Sequence, residues 1–356
     1  MRAQSNHRHY TASSEILIEV TRGSMVESVH RGFIVAVDGG GDPVAGLGDI
    51  DVTTYFRSAA KPFQSIPLIT SGAADHFQLN SKEIAVINGS HSGEPVHLEV
   101  VRSILHKTGI DESALMCGSH MPFDDVTARQ LRSESRHASV LHNNCSGKHA
   151  GMLALARFLG EKLDDYIDPA HPIQRKILEV VALFAGVPAG SITIAVDGCS
   201  APVFGMSIAS MARSYARLAA CDQTDFEQDL KSAARRVVDS MIEFPEMVGG
   251  HRNRLDTDLM KAANGQVISK VGAEGVQLLG VKPCNRYPMG LGIAIKIEDG
   301  DIRRARDPVV LETLRQLGIL DEDQLTGLSR FAHAKIHNHR RLDVGELRTC
   351  FKIEEV

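Results

Sequence analysis

Two stretches decide the fold class: ILIEVTRG at residues 16–23 and MVESVHRGFIVAVDGGGDPVAGLG at residues 25–48. Both are rich in the β-branched and apolar residues of strands, with partial alternation between apolar and polar positions. The GGGDP segment at residues 39–43 is typical of a hairpin turn, because glycine adopts the backbone angles that tight turns require. We therefore predict an antiparallel meander over this part of the chain.

Helical periodicity follows from about residue 61. Four segments are predicted to contain helices: GKHAGMLALARFLGEKL (147–163), PIQRKILEVVALFAGV (172–187), the end of DGCSAPVFGMSIASMARSYARLA (197–219, after a strand end and a turn) and FEQDLKSAARRVVDSMIEF (226–244). Strand character returns in QVISKVGAEGVQLLGV (266–281) and GLGIAIKIEDG (290–300).

Strands towards both ends of the chain with helices between them predict an α+β fold, in which one mainly antiparallel sheet receives strands from both chain ends and a helical region is inserted. We expect a flexible N-terminus at residues 1–15 and a single unit over residues 16–356. In that unit the sheet region covers about 16–60 and 265–356, and the helical region about 61–264.

Composition narrows the class of protein. The chain has 356 residues, 43% hydrophobic and 23% charged, with a net charge of -5, which gives no electrostatic reason to expect nucleic acid or a membrane as partner. It has no apolar run of the roughly 20 residues that cross a bilayer. The first residues, MRAQSNHRHYTASSE, lack the apolar core of a secretion signal, so we predict a cytoplasmic protein. Its six cysteines are then expected to be thiols or metal ligands.

One candidate nucleophile comes from FRSAAKPFQ, where Ser58 and Lys61 have Ser-x-x-Lys spacing. One helical turn would place both side chains on the same face. A serine hydroxyl needs a neighbouring base, and a lysine can be that base only if burial or positive charge, such as that of Arg57, keeps its amine neutral. The spacing alone is weak, because a helix start with Ser58 as cap and Lys61 in solvent has the same pattern.

Two later segments strengthen the catalytic interpretation. INGSHSGEP contains Ser90, and VISKVGAEG contains Lys270 on a predicted strand. Serine–lysine acyl enzymes, such as class A β-lactamases, combine Ser-x-x-Lys with a second polar motif and then a lysine on a strand, in this order. The alternatives are a turn role for Ser90 and a strand-edge charge for Lys270.

Two thiol segments, HNNCSGKHAG and VDGCSAPVF, place Cys145 and Cys199 in polar turns. Each cysteine could be a metal ligand, a nucleophile or a small buried residue. Lys148 follows Cys145 on the same helical face, His149 could hydrogen-bond a substrate, and Asp197 is placed to bind a substrate ammonium. A further group, His333, His337 and His339, has helical spacing between its first two members and is interpreted as solvated surface.

Seven collinear segments together resemble the bacterial L-asparaginases of the asparaginase II family: TRGSMVESVHRG, FRSAAKPFQ, NGSHSGE, HNNCSGKHAGML, VDGCSAPVF, RLDTDLM and KVGAEG. The resemblance implies a fold like that of serine β-lactamases and glutaminases, with hydrolysis of L-asparagine to L-aspartate and ammonia. It also implies bound zinc and a homodimer.

The resemblance assigns roles to ten residues. Ser58 would be the nucleophile with Lys61 as its base, and Ser90 with Lys270 would form a second pair that assists proton transfer. The implied zinc ligands are Cys145, Lys148 and Cys199, and the implied substrate contacts are Arg57, His149 and Asp197. We expect Arg57 to bind the α-carboxylate and Asp197 the α-ammonium, because each has the opposite charge. No site is assigned to RLDTDLM, because HRN precedes it in place of a more typical turn.

Alternatives remain open at this stage. A glutaminase or a broader amidase would use the same groups, because one methylene changes discrimination by only about 1–3 kcal/mol. A catalytically silent asparagine- or metal-binding sensor is the alternative from another class of protein. The joint presence of both Ser–Lys pairs argues against it, because a binding protein needs no activated nucleophile.

Overall fold

The computed structural model describes residues 13–332 and 335–355, which form twelve strands and fourteen α-helices. The strands are β1 (Glu15–Arg22), β2 (Met25–Asp38), β3 (Pro43–Leu47), β4 (Thr53–Tyr55), β5 (Thr193–Val196), β6 (Pro202–Ser207), β7 (Val267–Val271), β8 (Val276–Val281), β9 (Leu291–Ile297), β10 (Lys335–His337), β11 (Asp343–Thr349) and β12 (Glu354–Glu355). The helices are α1 (Lys61–Thr70), α2 (Ala73–His76), α3 (Ser81–Ile87), α4 (Pro95–Thr108), α5 (Asp125–Ser133), α6 (Ser146–Leu159), α7 (Pro172–Ala185), α8 (Ile208–Ala219), α9 (Gln228–Glu243), α10 (Pro245–Val248), α11 (Leu255–Ala262), α12 (Asp307–Gln316), α13 (Glu322–Gly327) and α14 (Ser329–Ala332).

Nine of the described strands form one antiparallel sheet in the order β10-β11-β1-β2-β9-β8-β7, with β3 paired to both β2 and β12. Strand β2 is its centre, because it pairs with β1 near its start and with β9 and β3 further along. The predicted meander and its turn after Asp38 are therefore present. Since strands from both chain ends build this sheet, the predicted α+β class is confirmed.

The sheet is buried on both faces. Along β2, Phe33 and Val35 pack into the core shared with the helical region, whereas Ile34 and Ala36 pack into a second core that includes residues of α12. This alternation follows from the opposite directions of successive strand side chains. Helix α8 lies directly against β9, where Gly292 is required because any Cβ there would collide with the Ala212 backbone.

Three features differ from the sequence prediction. Two strands of the helical region, β5 and β6, form a second sheet with β4, in the order β4-β6-β5, and the buried strand β6 lies where the sequence was assigned to a turn and helix. Short apolar runs are compatible with a strand or a buried helix, so pattern alone does not separate them. Helices α12, α13 and α14 lie in the C-terminal part, where the sequence predicted sheet.

The histidine group noted for its spacing lies at a strand. His337 ends strand β10, which pairs with β11. The surface assignment is confirmed for His337 and His339, which are exposed. His333 and residues 1–12 of the predicted flexible N-terminus lie outside the described residues. Over the described ranges, no helix combines the length and apolar character needed to span a membrane.

Candidate active site

Ser58 lies in a 3-10 turn, Arg57–Ala60, that leads directly into α1 at Lys61. Arg57 has a φ of 52°, a left-handed conformation that costs an L-residue of this size about 1–3 kcal/mol. Such strain is concentrated at functional sites. Ser58 is half-buried, and within the described part of the chain its hydroxyl has no hydrogen-bond partner. The hydroxyl is therefore available to a substrate.

The side chains of Lys61, Ser90 and Lys270 form a continuous buried chain. Lys61 Nζ lies 2.6 Å from Gly89 O, 3.1 Å from Asn144 O and 3.0 Å from Ser90 Oγ. Lys270 Nζ donates to the same Ser90 oxygen over 2.8 Å. A neutral Lys61 can donate its two hydrogens to the carbonyls and accept the Ser90 proton. Ser90 can therefore relay a proton between the two amines.

Both lysines of this chain are biased towards the neutral amine. Burial lowers the pKa of Lys61, and burial lowers the pKa of Lys270 well below its ordinary value. The positive charge of Lys148 adds to the effect on the pKa of Lys61. Arg57, the other positive charge considered for that role, instead donates from its guanidinium to Asp197. Lys61 is buried, so the alternative of a solvated Lys61 is wrong, and Lys270 lies on the edge strand β7 but is fully buried.

A second buried cluster joins the two thiol segments. Lys148 Nζ lies 3.0 Å from Cys199 Sγ, and the Cys145 thiol is close enough to Cys199 to influence its pKa. The first turn of α6 packs closely against α3, because Gly147 has no side chain that would collide with the Val86 carbonyl. This packing brings the cluster beside the Ser90 loop, residues 88–94 between α3 and α4. Ser200 provides the turn after Cys199 with a φ of 70°. The three predicted metal ligands therefore lie together.

The charges in this cluster are complementary. The hydrogen bond from Cys145 and the charge of Lys148 hold the pKa of Cys199 far below its ordinary value, although burial opposes this shift. The same hydrogen bond, with burial, raises the pKa of Cys145 well above its ordinary value. Burial works against a charged Lys148, but the adjacent thiols raise its pKa. These directions favour a thiolate at Cys199, an ammonium at Lys148 and a protonated thiol at Cys145.

His149 is buried beside the same cluster. Its Nδ1 lies 2.6 Å from the Tyr166 hydroxyl. Its buried Nε2 has no hydrogen-bond partner of normal geometry in the described chain, although the ring lies next to the Cys199 sulfur. Burial lowers the pKa of His149, so the ring is held neutral. A buried nitrogen without a partner is costly, which makes it a candidate for a contact with a ligand.

The two charged residues predicted to bind the substrate, Arg57 and Asp197, contact each other. Arg57 Nε donates to Asp197 Oδ1 over 3.0 Å. Both side chains keep some exposure, 26% for Arg57 and 10% for Asp197. Their opposite charges match the two charges of an α-amino acid.

Two residues of RLDTDLM, the segment left without a role, support the relay. Arg254 donates to Ser90 O over 2.8 Å and to Ser92 Oγ over 2.9 Å. Asp256 is buried and accepts from Ser269 Oγ at 2.7 Å and from the backbone N of Val271 at 3.0 Å, on either side of Lys270. Neither role was predicted from the sequence. The signal that could have indicated them is the pair of opposite charges, Arg254 and Asp256, in a segment that already belongs to the family resemblance.

The preceding HRN segment, residues 251–253, is hydrogen-bonded to Asp124 and Glu94. Arg252 binds Asp124 through two hydrogen bonds of 2.7 and 2.8 Å, and the hydrogen bond from Arg252 is the main reason that the pKa of Asp124 lies far below its usual range. His251 Nδ1 lies 2.8 Å from Glu94 Oε2. Between these elements lies a cavity of about 560 Å³ that Ser58 and Ser90 both line.

An accessible serine beside a buried lysine–serine–lysine relay, on an α+β scaffold, has the groups of a hydrolase that works through an acyl-serine. The model of the family described as L-asparaginase II matches residues 18–349. The chain belongs to this family, which makes it an amidohydrolase. No curated protein matches the chain.

Solved structures similar to this chain include three distant ones. A probable glutaminase from Bacillus subtilis, complexed with 6-diazo-5-oxo-L-norleucine, is 13% identical with a TM-score of 0.40, and the match covers 81% of this chain and 85% of that one. Mglu in its native form is 17% identical with a TM-score of 0.43, covering 82% and 66%. A Bacillus glutaminase is 15% identical with a TM-score of 0.35, covering 76% and 84%.

Proposed function

We propose that the protein hydrolyses L-asparagine to L-aspartate and ammonia through an acyl-enzyme on Ser58. The observation that carries this proposal is the buried chain from Lys61 through Ser90 to Lys270, beside a serine hydroxyl that is free for a substrate. A binding protein has no need for two buried, neutralised lysines. The family description supports asparagine as the substrate.

The proposed reaction has two steps. Ser58 Oγ attacks the side-chain amide carbon while its proton passes to Lys61, and the C–N bond breaks as the leaving nitrogen takes a proton and departs as ammonia. Water then attacks the ester, with the same amine as base, and Ser58 recovers its proton. Ser90 and Lys270 redistribute protons during both steps. The backbone N–H of Ser58 is our candidate oxyanion donor, a contribution typically worth about 2.7–4 kcal/mol.

The proposed substrate contacts follow from charge. Arg57 would bind the α-carboxylate and Asp197 the α-ammonium, as the two groups exchange their mutual ion pair for a pair with the substrate. The unpartnered Nε2 of His149 offers a third polar contact. Arg57 precedes the nucleophile in sequence, so carboxylate binding there would place the substrate next to Ser58.

The thiol cluster fits the zinc ion that the family resemblance implies. Two sulfurs and an amine in mutual contact are a soft donor set, and the unpartnered His149 nitrogen lies beside them. Among the described residues, no group of three or more His, Cys, Asp and Glu side chains could hold a metal ion, and the third donor of the proposed set is a lysine. We propose Cys145, Lys148 and Cys199 as its ligands. A zinc ion there would supply Lewis-acid polarisation.

Asparagine and glutamine differ by one methylene, so the site geometry does not separate them and both are tested. The experiment is ammonia release from each amide by the purified protein, by Ser58→Ala and by Ser65→Ala as the matched control. Ser65 lies on α1 one turn after Lys61, and its hydroxyl bonds only to Pro62 O. We expect asparagine turnover that Ser58→Ala abolishes and Ser65→Ala retains. Turnover of neither amide by folded protein would refute the proposal. A homodimer and a cytoplasmic location remain predictions.

A further inference from the structure

The proposed contacts for the α-groups of asparagine are distinct from the cavity at Ser58. Ser58 and Ser90 line this cavity, whereas Arg57, Asp197 and His149 do not. An amide bond held at Ser58 has its acyl part on one side and its leaving nitrogen on the other. If Arg57, Asp197 and His149 bind the acyl part, the cavity is available to the leaving group.

The cavity is much larger than the leaving group of asparagine. Its volume is about 560 Å³. Clefts of about 300–1,000 Å³ are typical for drug-sized ligands. Ammonia has a single non-hydrogen atom, and asparagine itself has nine. The space on the leaving-group side therefore has room for a substituent on the amide nitrogen.

The charged residues that line the cavity indicate which chemical group this substituent carries. Five arginines and four aspartates line it. Arg252 is paired with Asp124, Arg306 is paired with its neighbour Asp307, and Arg254 is bonded to the Ser90 loop. The remaining two, Arg129 and Arg303, have no ion pair or hydrogen bond within residues 13–332 and 335–355, and both are exposed. A carboxylate on the leaving group would find two available guanidinium groups.

We propose that this cavity is a leaving-group subsite and that the enzyme also hydrolyses β-aspartyl dipeptides, in which the side-chain carbonyl of aspartate is joined to the nitrogen of a second amino acid. This inference rests on the proposed function and extends its substrate class. The chemistry is unchanged: the Ser58 Oγ–carbon bond forms, the C–N bond breaks, and the proton from Ser58 goes through Lys61 to the departing amine. Water then releases aspartate from the ester. Arg129 and Arg303 bind the carboxylate of the leaving amino acid.

Three substrates test the proposal: L-asparagine, β-aspartyl-glycine, and β-aspartyl-glycinamide, which lacks the leaving-group carboxylate. Release of glycine or glycinamide is measured by chromatography and ammonia by a coupled assay. We expect hydrolysis of β-aspartyl-glycine, with kcat/KM higher than for the glycinamide by roughly tenfold, because only the glycine carboxylate can accept charge-assisted hydrogen bonds from the two arginines.

A double variant identifies the guanidinium groups responsible. In Arg129→Ala/Arg303→Ala we expect kcat/KM for β-aspartyl-glycine, divided by that for asparagine, to fall about tenfold, with the glycinamide little affected. The matched control is Arg132→Ala/Arg304→Ala, which removes exposed arginines from the same two segments but outside the cavity lining. The control should leave the ratio unchanged.

The outcomes separate this inference from the proposed function. Asparagine turnover without hydrolysis of, or competition by, either β-aspartyl compound overturns the subsite and leaves the asparaginase proposal standing. An equal loss for asparagine and β-aspartyl-glycine in the double variant overturns it too, because the cavity would then hold the α-groups. Turnover of none of the three substrates by folded protein refutes the proposed function itself.

Discussion

Two buried clusters lie side by side in this site, and each contains lysine in a different state. In the relay, Lys61 and Lys270 have carbonyl and hydroxyl oxygens as hydrogen-bond partners, and burial lowers the pKa of both. In the thiol cluster, Lys148 is equally buried but lies against sulfur, and its pKa is raised. Burial alone therefore does not determine the charge of a lysine.

The comparison teaches that the identity of the neighbours decides the chemistry. A lysine next to neutral oxygens loses its proton and becomes a base, whereas a lysine next to a thiolate keeps its proton until another cation replaces it. A zinc ion carries more positive charge than an ammonium, so zinc in the proposed site would displace the proton of Lys148 and bind its neutral amine. Four substitutions, in order of decreasing expected effect, test the roles assigned to the two clusters and to the residues beside them.

Lys61→Met should lower kcat/KM for asparagine by about 10²–10⁴-fold, because it removes the base while keeping a similar volume. The matched control is Lys296→Met, which removes another buried lysine, one that donates to Glu274 O and Ile297 O outside the relay. Steady-state ammonia release measures both. If the two variants lost activity equally, the relay role of Lys61 would be wrong.

Lys148→Met should reduce zinc affinity by at least about tenfold, because altering even a supporting residue of a zinc site costs 10–100-fold. The measurement is competition with a chelator, with zinc content determined by mass spectrometry. Lys162→Met, at an exposed position shortly after α6, is the control. Unchanged affinity in Lys148→Met would contradict the proposed ligand set and leave the relay unaffected.

Asp197→Asn should raise KM for asparagine roughly tenfold with a smaller change in kcat, because it removes the proposed partner of the α-ammonium. A substrate analogue without the α-amino group provides the control, since its turnover should be less affected by the substitution. An unchanged KM for asparagine would rule out this contact.

Asp256→Asn should shift the acid limb of the pH–kcat/KM profile to lower pH, with a modest loss of kcat. The negative charge of Asp256 raises the pKa of Lys270 against the larger effect of burial, so its removal lets Lys270 lose its proton at lower pH. Activity should rise with pH in both proteins, with its midpoint below the ordinary lysine value of about 10.4. A shift to higher pH, or none, would show that Asp256 only holds strand β7.

The outline of the fold was readable from local pattern. The meander at the start of the sheet, its glycine turn and helices such as α7 and α9 follow from periodicity and turn residues that act over a few positions. Strand β6 was missed because its apolar run fits two structures equally well.

The site was partly readable as well. Ser58 and Lys61 are three positions apart, and the structure places Ser58 in the turn that leads into α1 at Lys61, without a hydrogen bond between the two side chains among the described contacts. The roles of Arg254 and Asp256 could not be predicted, since each acts on a residue of a distant segment: Ser90 in the first case, and the strand carrying Lys270 in the second. An ion pair between Arg57 and Asp197 was equally invisible, because 140 positions separate them.

The sequence by itself determined the class of fold of this protein, its family and the types of reactive side chain that it carries. Those properties depend on local pattern and on motif order. The tertiary structure alone decided which lysine is neutral and which is charged, and where open space lies beside Ser58. These depend on burial and on distances of a few ångströms between groups far apart in the chain, and electrostatic interactions are sensitive to both.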